Sequence, residues 1–360
     1  MKYVGKLVAY ILLCLNGVVA LLMLLSAYSS YIDPQTYPIW SCAGLFFPIF
    51  LIANFLFLCF WLVVYRRYAI LPLLVFVCCW GSVRSFLPIN LFQDDRPEKT
   101  IKFLSYNTRA FSLKKAHTKE KNNDVLTYLQ ECDADIICLQ EYIWGKRLKK
   151  KDIDYALKKY PYKHYQPLAR GLNGLGCYSR YPILSATPLT FKNSRNGAVI
   201  YQIKVGDDTL NVINNHLEST KLLESDVAIY QDMIDAPDKE KVSLGMKKLL
   251  KKLGKANGVR ARQANILSEK LKDFSGKSLV VCGDFNDTSA SYTYRVIKDG
   301  LQDAFVESGN GLGISYNQNR LCFRIDHILL SKNLKAYECT VDDTAKSSDH
   351  YPIWCYISLE

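Results

Sequence analysis

Hydrophobicity divides this chain at about residue 92. Before that point apolar residues run almost without interruption. After it, short stretches of alternating apolar and polar residues are separated by polar and helical segments. Leu7 to Ala27 carries no charge, and about 20 such residues cross a bilayer core. Ile39 to Tyr65 is longer and equally uncharged, with Pro48 inside it, which spanning helices tolerate. Tyr68 to Val83 is shorter and extends further only by accommodating Arg84. The pattern predicts a transmembrane segment over 1–92 with three helices, at about 7–27, 39–65 and 68–90. A cleaved signal peptide is a poor account of the first run: its apolar stretch is too long, and a second follows closely.

Residues 93–100 form a polar linker containing Pro97. Beyond it Ile101 to Tyr106, Asp135 to Leu139, Leu175 to Ser179, Val199 to Val205, Thr209 to Asn214, Ser278 to Cys282, Arg324 to Leu330 and Tyr351 to Ile357 read as strands. Asn122 to Glu131 has helical spacing. The stretch at about 221–272 is polar, rich in lysine and mostly helical, an insertion in the strand pattern. No internal repeat is visible.

Charge sharpens this division. The net charge is +12. Up to Phe92 the charged residues are Lys2, Lys6, Arg66, Arg67, Arg84 and Asp33, a net +4, so the remainder carries +8. A basic domain suits a polyanionic substrate or an anionic surface, and equally a solvated basic face. Lys2 and Lys6 precede the first span, and Arg66 and Arg67 lie between the second and third. The loop from Tyr28 to Pro38 has no basic residue. The positive-inside rule therefore keeps both basic ends in the cytoplasm. With three spans the second domain emerges on the outer, periplasmic or extracellular, face; with two it stays inside. Trp40, Trp61 and Trp80 fall near the expected interfaces. Cysteines contribute little. Seven lie after residue 100, mostly in apolar runs where cysteine acts as a small hydrophobe. Their odd number and spacing argue against a disulfide framework or a zinc site.

Candidate chemistry gathers where strands end. Asn107 follows the first strand; Gln140 and Glu141 follow the second. Asn215 and His216 come after Asn214, and Asp284 and Asn286 after Cys282. Asp326 and His327 lie in the strand Arg324 to Leu330, and Asp349 and His350 just before the last. Strands bring such distant positions to one sheet edge. Carboxylate and amide oxygens suit a hard cation such as magnesium, which polarises a phosphoryl oxygen. An Asp can orient or deprotonate water. A His paired with a carboxylate keeps its proton. Each piece alone has a plain structural reading. Asn107 suits a turn, Gly-Asp-Phe-Asn is rich in turn formers, and His216 suits a core histidine. Coincidence at all six places in one order is the weaker explanation.

At these residues the sequence resembles the endonuclease/exonuclease/phosphatase superfamily of DNase I-like phosphoesterases. The matching segments are Phe103-Leu-Ser-Tyr-Asn107, Ile137-Cys-Leu-Gln-Glu141, Asn214-Asn-His216-Leu, Cys282-Gly-Asp284-Phe-Asn286, Arg324-Ile-Asp326-His-Ile-Leu and Ser348-Asp349-His350, with Tyr178-Ser179-Arg180 marking a further strand. The resemblance covers about 101–360 and implies an α+β fold, a four-layer α/β/β/α sandwich. It implies Glu141 as principal metal ligand, with Asn107 and Asp349 beside it. Asp284, helped by Asn286, would activate or align water. Asp326 and His350 would stabilise the phosphoryl transition state, and His216 would lie near the phosphate. His327 reads as a strand residue. Arg109 and Arg180 could reach a phosphate or form surface salt bridges. The membrane spans and the lysine-rich stretch depart from secreted members of the superfamily.

The expected function is hydrolysis of a phosphodiester or phosphomonoester by activated water, dependent on Mg2+ with Mn2+ able to substitute. The expected partners are the lipid bilayer and a substrate that is nucleic acid or a phospholipid head group, with no obligate protein partner. A non-catalytic membrane receptor on a degenerate phosphatase fold is the alternative. A channel or transporter has no support, since the spans carry no acidic residue.

Overall fold

The structure is a computed structural model that describes residues 2–92, 94–118, 120–220, 226, 228, 239–318 and 321–359. Two compact units emerge. One comprises Met1–Leu87, Leu222–Ala261 and Ser289–Arg295; the other comprises Pro88–Lys221, Arg262–Thr288 and Val296–Glu360. Most of 221–238, the start of the expected insertion, lies outside the described residues. The remainder is one helix.

In the first unit α1 (Lys2–Ala27) and α2 (Phe47–Val64) belong to segments, Lys6–Tyr31 and Trp40–Val64, that are long and apolar enough to cross a membrane. The chain enters α2 through a 3-10 turn, Trp40–Phe46, so Pro48 falls in the first turn of the α-helix. No intrahelical N–H is needed there, so the proline costs nothing. The third expected span, 68–90, is not one helix. It is a pair, α3 (Ile70–Cys78) and α4 (Trp80–Phe86), bent by 70° across Cys79. Gly81 and Ser82 are weak helix formers just beyond the break. Leu87 stands before Pro88 and adopts φ −131°, ψ 77°, as a residue preceding proline must leave the helical region.

Trp61 lies in the last turn of α2. It is fully buried, and its indole N–H donates to Asn16 Oδ1 at 3.0 Å. Asn16 in turn donates to Asn54 Oδ1 at 3.3 Å. A buried indole needs an acceptor, and this amide provides it. Trp40 and Trp80 are exposed.

The second unit contains two six-stranded sheets. The first has the order β13 (Leu334–Val341)-β14-β1-β2-β4-β3 (Tyr162–Leu168) and the second β5 (Ile183–Thr190)-β6 (Gly197–Val205)-β7-β8-β12-β9 (Gln302–Asp303). The strands that matter most are β1 (Ile101–Asn107), β2 (Ile136–Gln140), β4 (Asn173–Ser179), β7 (Asp208–His216), β8 (Leu279–Asp284), β12 (Asp326–Leu330) and β14 (Ile353–Leu359). Alternation along them fills an apolar core between the sheets. Phe103, Ile136, Cys138, Cys177, Ile353 and Cys355 of the first sheet join Val199, Val212, Val280, Cys282 and Ile328 of the second. The other face of the first sheet presents Leu104, Tyr106, Ile137 and Leu139. These pack with Val125, Leu126 and Leu129 of α6 (Asp124–Glu131) and Ile153 of α7 (Lys150–Ala156). Ile213, Val281 and Leu329, on the other face of the second sheet, are fully buried too. This is an α/β sandwich of two packed sheets with flanking helices. All twelve cysteines are free thiols. Five of the seven after residue 100 are buried, as small core hydrophobes.

Candidate active site

Register sets the site. β12 runs antiparallel to β8 with Asp326 opposite Asp284. β7 runs parallel to β8 on its other side with His216 opposite Asp284. Asp284 is therefore flanked by both, each one strand spacing away. Gly283 makes this approach feasible: its φ is +134°, and a Cβ there would lie 1.9 Å from the Asn215 carbonyl oxygen. In the other sheet Asn107 pairs with Gln140, so Glu141 emerges directly beyond it.

Hydrogen bonds join the two sheets at this end. Asn107 Nδ2 donates to Asp284 Oδ2 at 3.0 Å, and the Asn286 N–H to Asp284 Oδ1 at 2.8 Å. The Nε2 atoms of His216 and His350 approach Asp284 Oδ2 at 3.6 and 3.7 Å. His350 Nδ1 meets Asp326 Oδ2 at 2.8 Å. Ser348 fixes the last loop by donating to the Asn107 carbonyl at 2.8 Å. Asp349 Oδ2 lies 3.3 Å from Arg109 Nε. Arg109 opens a short helical turn, α5 (Arg109–Lys114), whose φ angles are all positive, 46° to 62°. Such left-handed backbone costs roughly 1–2 kcal/mol per residue. Glu141 (φ 50°) and Asn286 (φ 51°) are also left-handed. Backbone strain of this kind clusters at functional sites.

The charges follow from burial. Asp284 is 1% exposed. Burial raises its pKa above the usual carboxylate value, against the pull of His350. His350 is subject to the same desolvation, which disfavours its charge, but Asp326, Asp284 and Asp349 together override it and raise its pKa to about 10. The structure thus brings Asn107, His216, Asp284, Asn286, Asp326 and His350 into one bonded cluster, with Asp349 and Glu141 at its margin. His327 is a buried strand residue bonded to the Asp287 carbonyl at 3.0 Å. Arg180 pairs with Asp135 at 2.7 Å and with Asp133.

Several contributors were not legible from the sequence. Asn214 donates across the sheets to the Leu139 and Gly176 carbonyls, both at 3.1 Å, and accepts from Gln140 at 2.7 Å. Asn214 opens one of the motifs, but β7 holds several polar residues, and nothing local singles out this one as the link between the sheets. Ser315 Oγ receives the Asp326 N–H at 3.0 Å. Asn173 holds His216. Its Oδ1 accepts the Gly174 N–H at 2.7 Å, which identifies that atom as the oxygen. Its Nδ2 then faces His216 Nδ1 at 3.2 Å as a donor. Nδ1 must accept, so the ring proton sits on Nε2, the nitrogen facing Asp284.

Donor atoms of Asp284, Asp326 and His350 lie within 4.8 Å of one another, close enough for one cation. In that set, however, His350 Nδ1 and Asp326 Oδ2 already satisfy one another at 2.8 Å. The all-oxygen set of Glu141, Asn107 and Asp349 is the better fit to a hard cation. Two observations support a cation at this end of the sheets. The Glu141 carboxylate takes no hydrogen bond or ion pair among the described residues, and Asp326 Oδ1 is buried without a partner.

A family model described as the endonuclease/exonuclease/phosphatase family matches residues 104–350. A model for a domain of unknown function (DUF8431) matches residues 9–86. No curated protein matches the chain. Among solved structures, the human Nocturnin catalytic domain with bound sulfate anion aligns with a TM-score of 0.52 at 15% identity, covering 74% of this chain and 97% of that one. TDP2 from Caenorhabditis elegans aligns at 0.50 and 17% identity, covering 79% and 83%. D. rerio TDP2 complexed with single strand DNA product aligns at 0.50 and 16%, covering 72% and 100%. At these identities the likeness establishes the fold.

Proposed function

Because this chain belongs to the endonuclease/exonuclease/phosphatase family, we propose that it is a membrane-anchored, divalent-metal-dependent hydrolase of phosphate esters. The bond attacked is a phosphodiester or phosphomonoester of nucleic acid or of a phospholipid head group. The carrying observation is the buried cluster in which Asp284 is bonded to Asn107 and flanked by His216 and His350.

Asp284 orients the attacking water and accepts its proton; burial has raised its basicity for that task. The Asn286 N–H holds the carboxylate in place. His350, kept charged by Asp326, donates to a phosphoryl oxygen as negative charge develops there. His216 presents its Nε2–H to the same region. When bound, magnesium or manganese supplies neutralisation of phosphoryl charge; Glu141, Asn107 and Asp349 would hold it. Among known relatives of the fold, D. rerio TDP2 is described with a single strand DNA product, which favours including nucleic acid among the substrates tested.

Membrane anchoring rests on the two long apolar segments and the bent pair after them. The contacts of one further helix bear on the side of the membrane. Within the first unit, the part of the helix α8 (Lys239–Leu271) that ends at Ala261 packs on the connection between α1 and α2. A Cβ at Gly254 would lie 2.6 Å from the Pro38 carbonyl oxygen, and one at Gly258 would lie 3.3 Å from that of Pro34. A lysine-rich, uninterrupted helix does not cross a bilayer. The catalytic residues that follow it then share a side with that connection, opposite Arg66 and Arg67. This supports three crossings and a catalytic domain on the outer face.

The purified full chain should hydrolyse at least one of DNA, RNA, phosphoinositides, sphingomyelin or a small phosphate diester. EDTA should abolish the activity, and magnesium or manganese should restore it. Asp284→Asn and His350→Gln should each lower kcat by about 10²–10³-fold without unfolding the protein. Wild-type-like turnover in either folded variant removes this mechanism. A wild-type chain inert on every phosphate ester would favour the non-catalytic receptor.

A further inference from the structure

One charged surface of the molecule has no part in the hydrolytic mechanism. On α8 the side chains of Lys247, Lys248, Lys251 and Lys255 are all exposed. Separated by three, four, seven and eight positions, they occupy one side of the helix. No carboxylate pairs with any of the four among the described residues, whereas their neighbour Lys252, half-buried, pairs with Asp226. The adjoining stripe of the helix is committed to the connection between α1 and α2. Asn257 donates to Ser41 Oγ at 3.0 Å, and Gly254 and Gly258, three and seven positions beyond Lys251, admit the backbone of Pro38 and Pro34 to close contact.

That connection is short. Residues 32–39 are all that separate the two candidate spans, Lys6–Tyr31 and Trp40–Val64. Residues at such a position stand at the bilayer surface, where the head-group layer is about 5–7 Å deep on each side. A helix locked against them lies within a lysine side chain's reach of that layer, and lysine stems lie readily along apolar surface while the ammonium seeks phosphate.

We propose that Lys247, Lys248, Lys251 and Lys255 form a binding surface for anionic phospholipid head groups of the membrane in which the protein is anchored. The proposal rests on the membrane reading above. Head groups are favoured over nucleic acid because the glycine face ties this helix to the span ends, which makes the plane of lipid phosphates the nearest polyanion. The attraction acts within a Debye length and weakens with salt.

The test is lysine acetylation of the full chain in nanodiscs, read by mass spectrometry. In discs containing about 30% phosphatidylglycerol the four lysines should react at least threefold more slowly than in pure phosphatidylcholine discs. The protection should vanish at about 0.5 M salt. Lys192, exposed on the loop after β5, should react alike in both. In a second measurement, K247Q/K248Q/K251Q/K255Q should retain at least threefold less phosphatidylglycerol through detergent purification than the wild-type chain. Equal acetylation in both discs overturns the proposal, as does protection by added duplex DNA in phosphatidylcholine discs without protection by phosphatidylglycerol. A chain that enters neither disc overturns the membrane reading itself. A chain that enters both and shows no protection overturns the lysine surface alone.

Discussion

At the residue scale, two side chains carry the sharpest expectations. His350 has its pKa raised to about 10 against an ordinary value of 6.5. Its folded value exceeds its unfolded one, so its contribution to stability is fully present below about pH 6.5 and is lost as pH rises toward 10. Thermal unfolding of wild type and His350→Gln should therefore differ most at or below pH 6.5 and converge near pH 10; a gap that widens over that range contradicts the assignment. Asn173 is a positioning residue. Asn173→Asp replaces the donor at His216 Nδ1 with an acceptor, drawing the ring proton to Nδ1 and away from the catalytic side. We expect kcat to fall about tenfold or more with KM little changed, and the His216 ring nitrogens to exchange protonation in NMR spectra. Both residues also mark what sequence could carry. His350 sits in Ser-Asp-His and its partner Asp326 in Arg-Ile-Asp, both legible as motifs. Asn173 precedes Gly174 as any turn asparagine might, and only the fold brings it to His216, 43 positions away.

At the scale of elements, the legible strands and the illegible ones separate by their place in the sheets. The eight strands read from alternation, β1, β2, β4, β6, β7, β8, β12 and β14, are all interior. The unread β3, β5, β9 and β13 are the four edges. An edge strand is half solvated, tolerates proline and is kept irregular. Pro167 lies in β3, Pro188 in β5, and β13 shifts register between Tyr337 and Thr340. Binary pattern is weak where burial is weak. Helix α8 illustrates a different limit. Its lysines were plain in the sequence, but Gly254-Lys-Ala-Asn-Gly258 acquires meaning only against Pro34 and Pro38. Gly254→Val should force these backbones apart, lowering stability by about 1–3 kcal/mol and opening α8 to limited proteolysis. Unchanged protease resistance would show the contact to be dispensable. In the apolar helices, Asn54→Leu removes the acceptor of Asn16 and should cost about 0.6–2 kcal/mol in detergent unfolding.

For the whole molecule, the side of the membrane on which the catalytic domain lies is measurable. A reporter fused after Glu360 should be active only outside the cytoplasm; cytoplasmic activity would mean that the bent pair α3–α4 does not cross. The division into units also bears on truncation. Residues 222–261 belong with the apolar helices, so removing residues 1–93 should bare the glycine face of α8 and leave a less soluble protein than the full chain in detergent.

Sequence by itself determined the long apolar runs, the alternation of the buried strands and the order of polar residues at strand ends, because each is a local property of neighbouring residues. Tertiary structure alone decided that His216 and Asp326 flank Asp284, that Asn214 stitches the sheets together, that the third apolar run bends, and that α8 rests on the connection between α1 and α2. Those outcomes depend on register and packing between segments far apart in the chain, which no local pattern encodes.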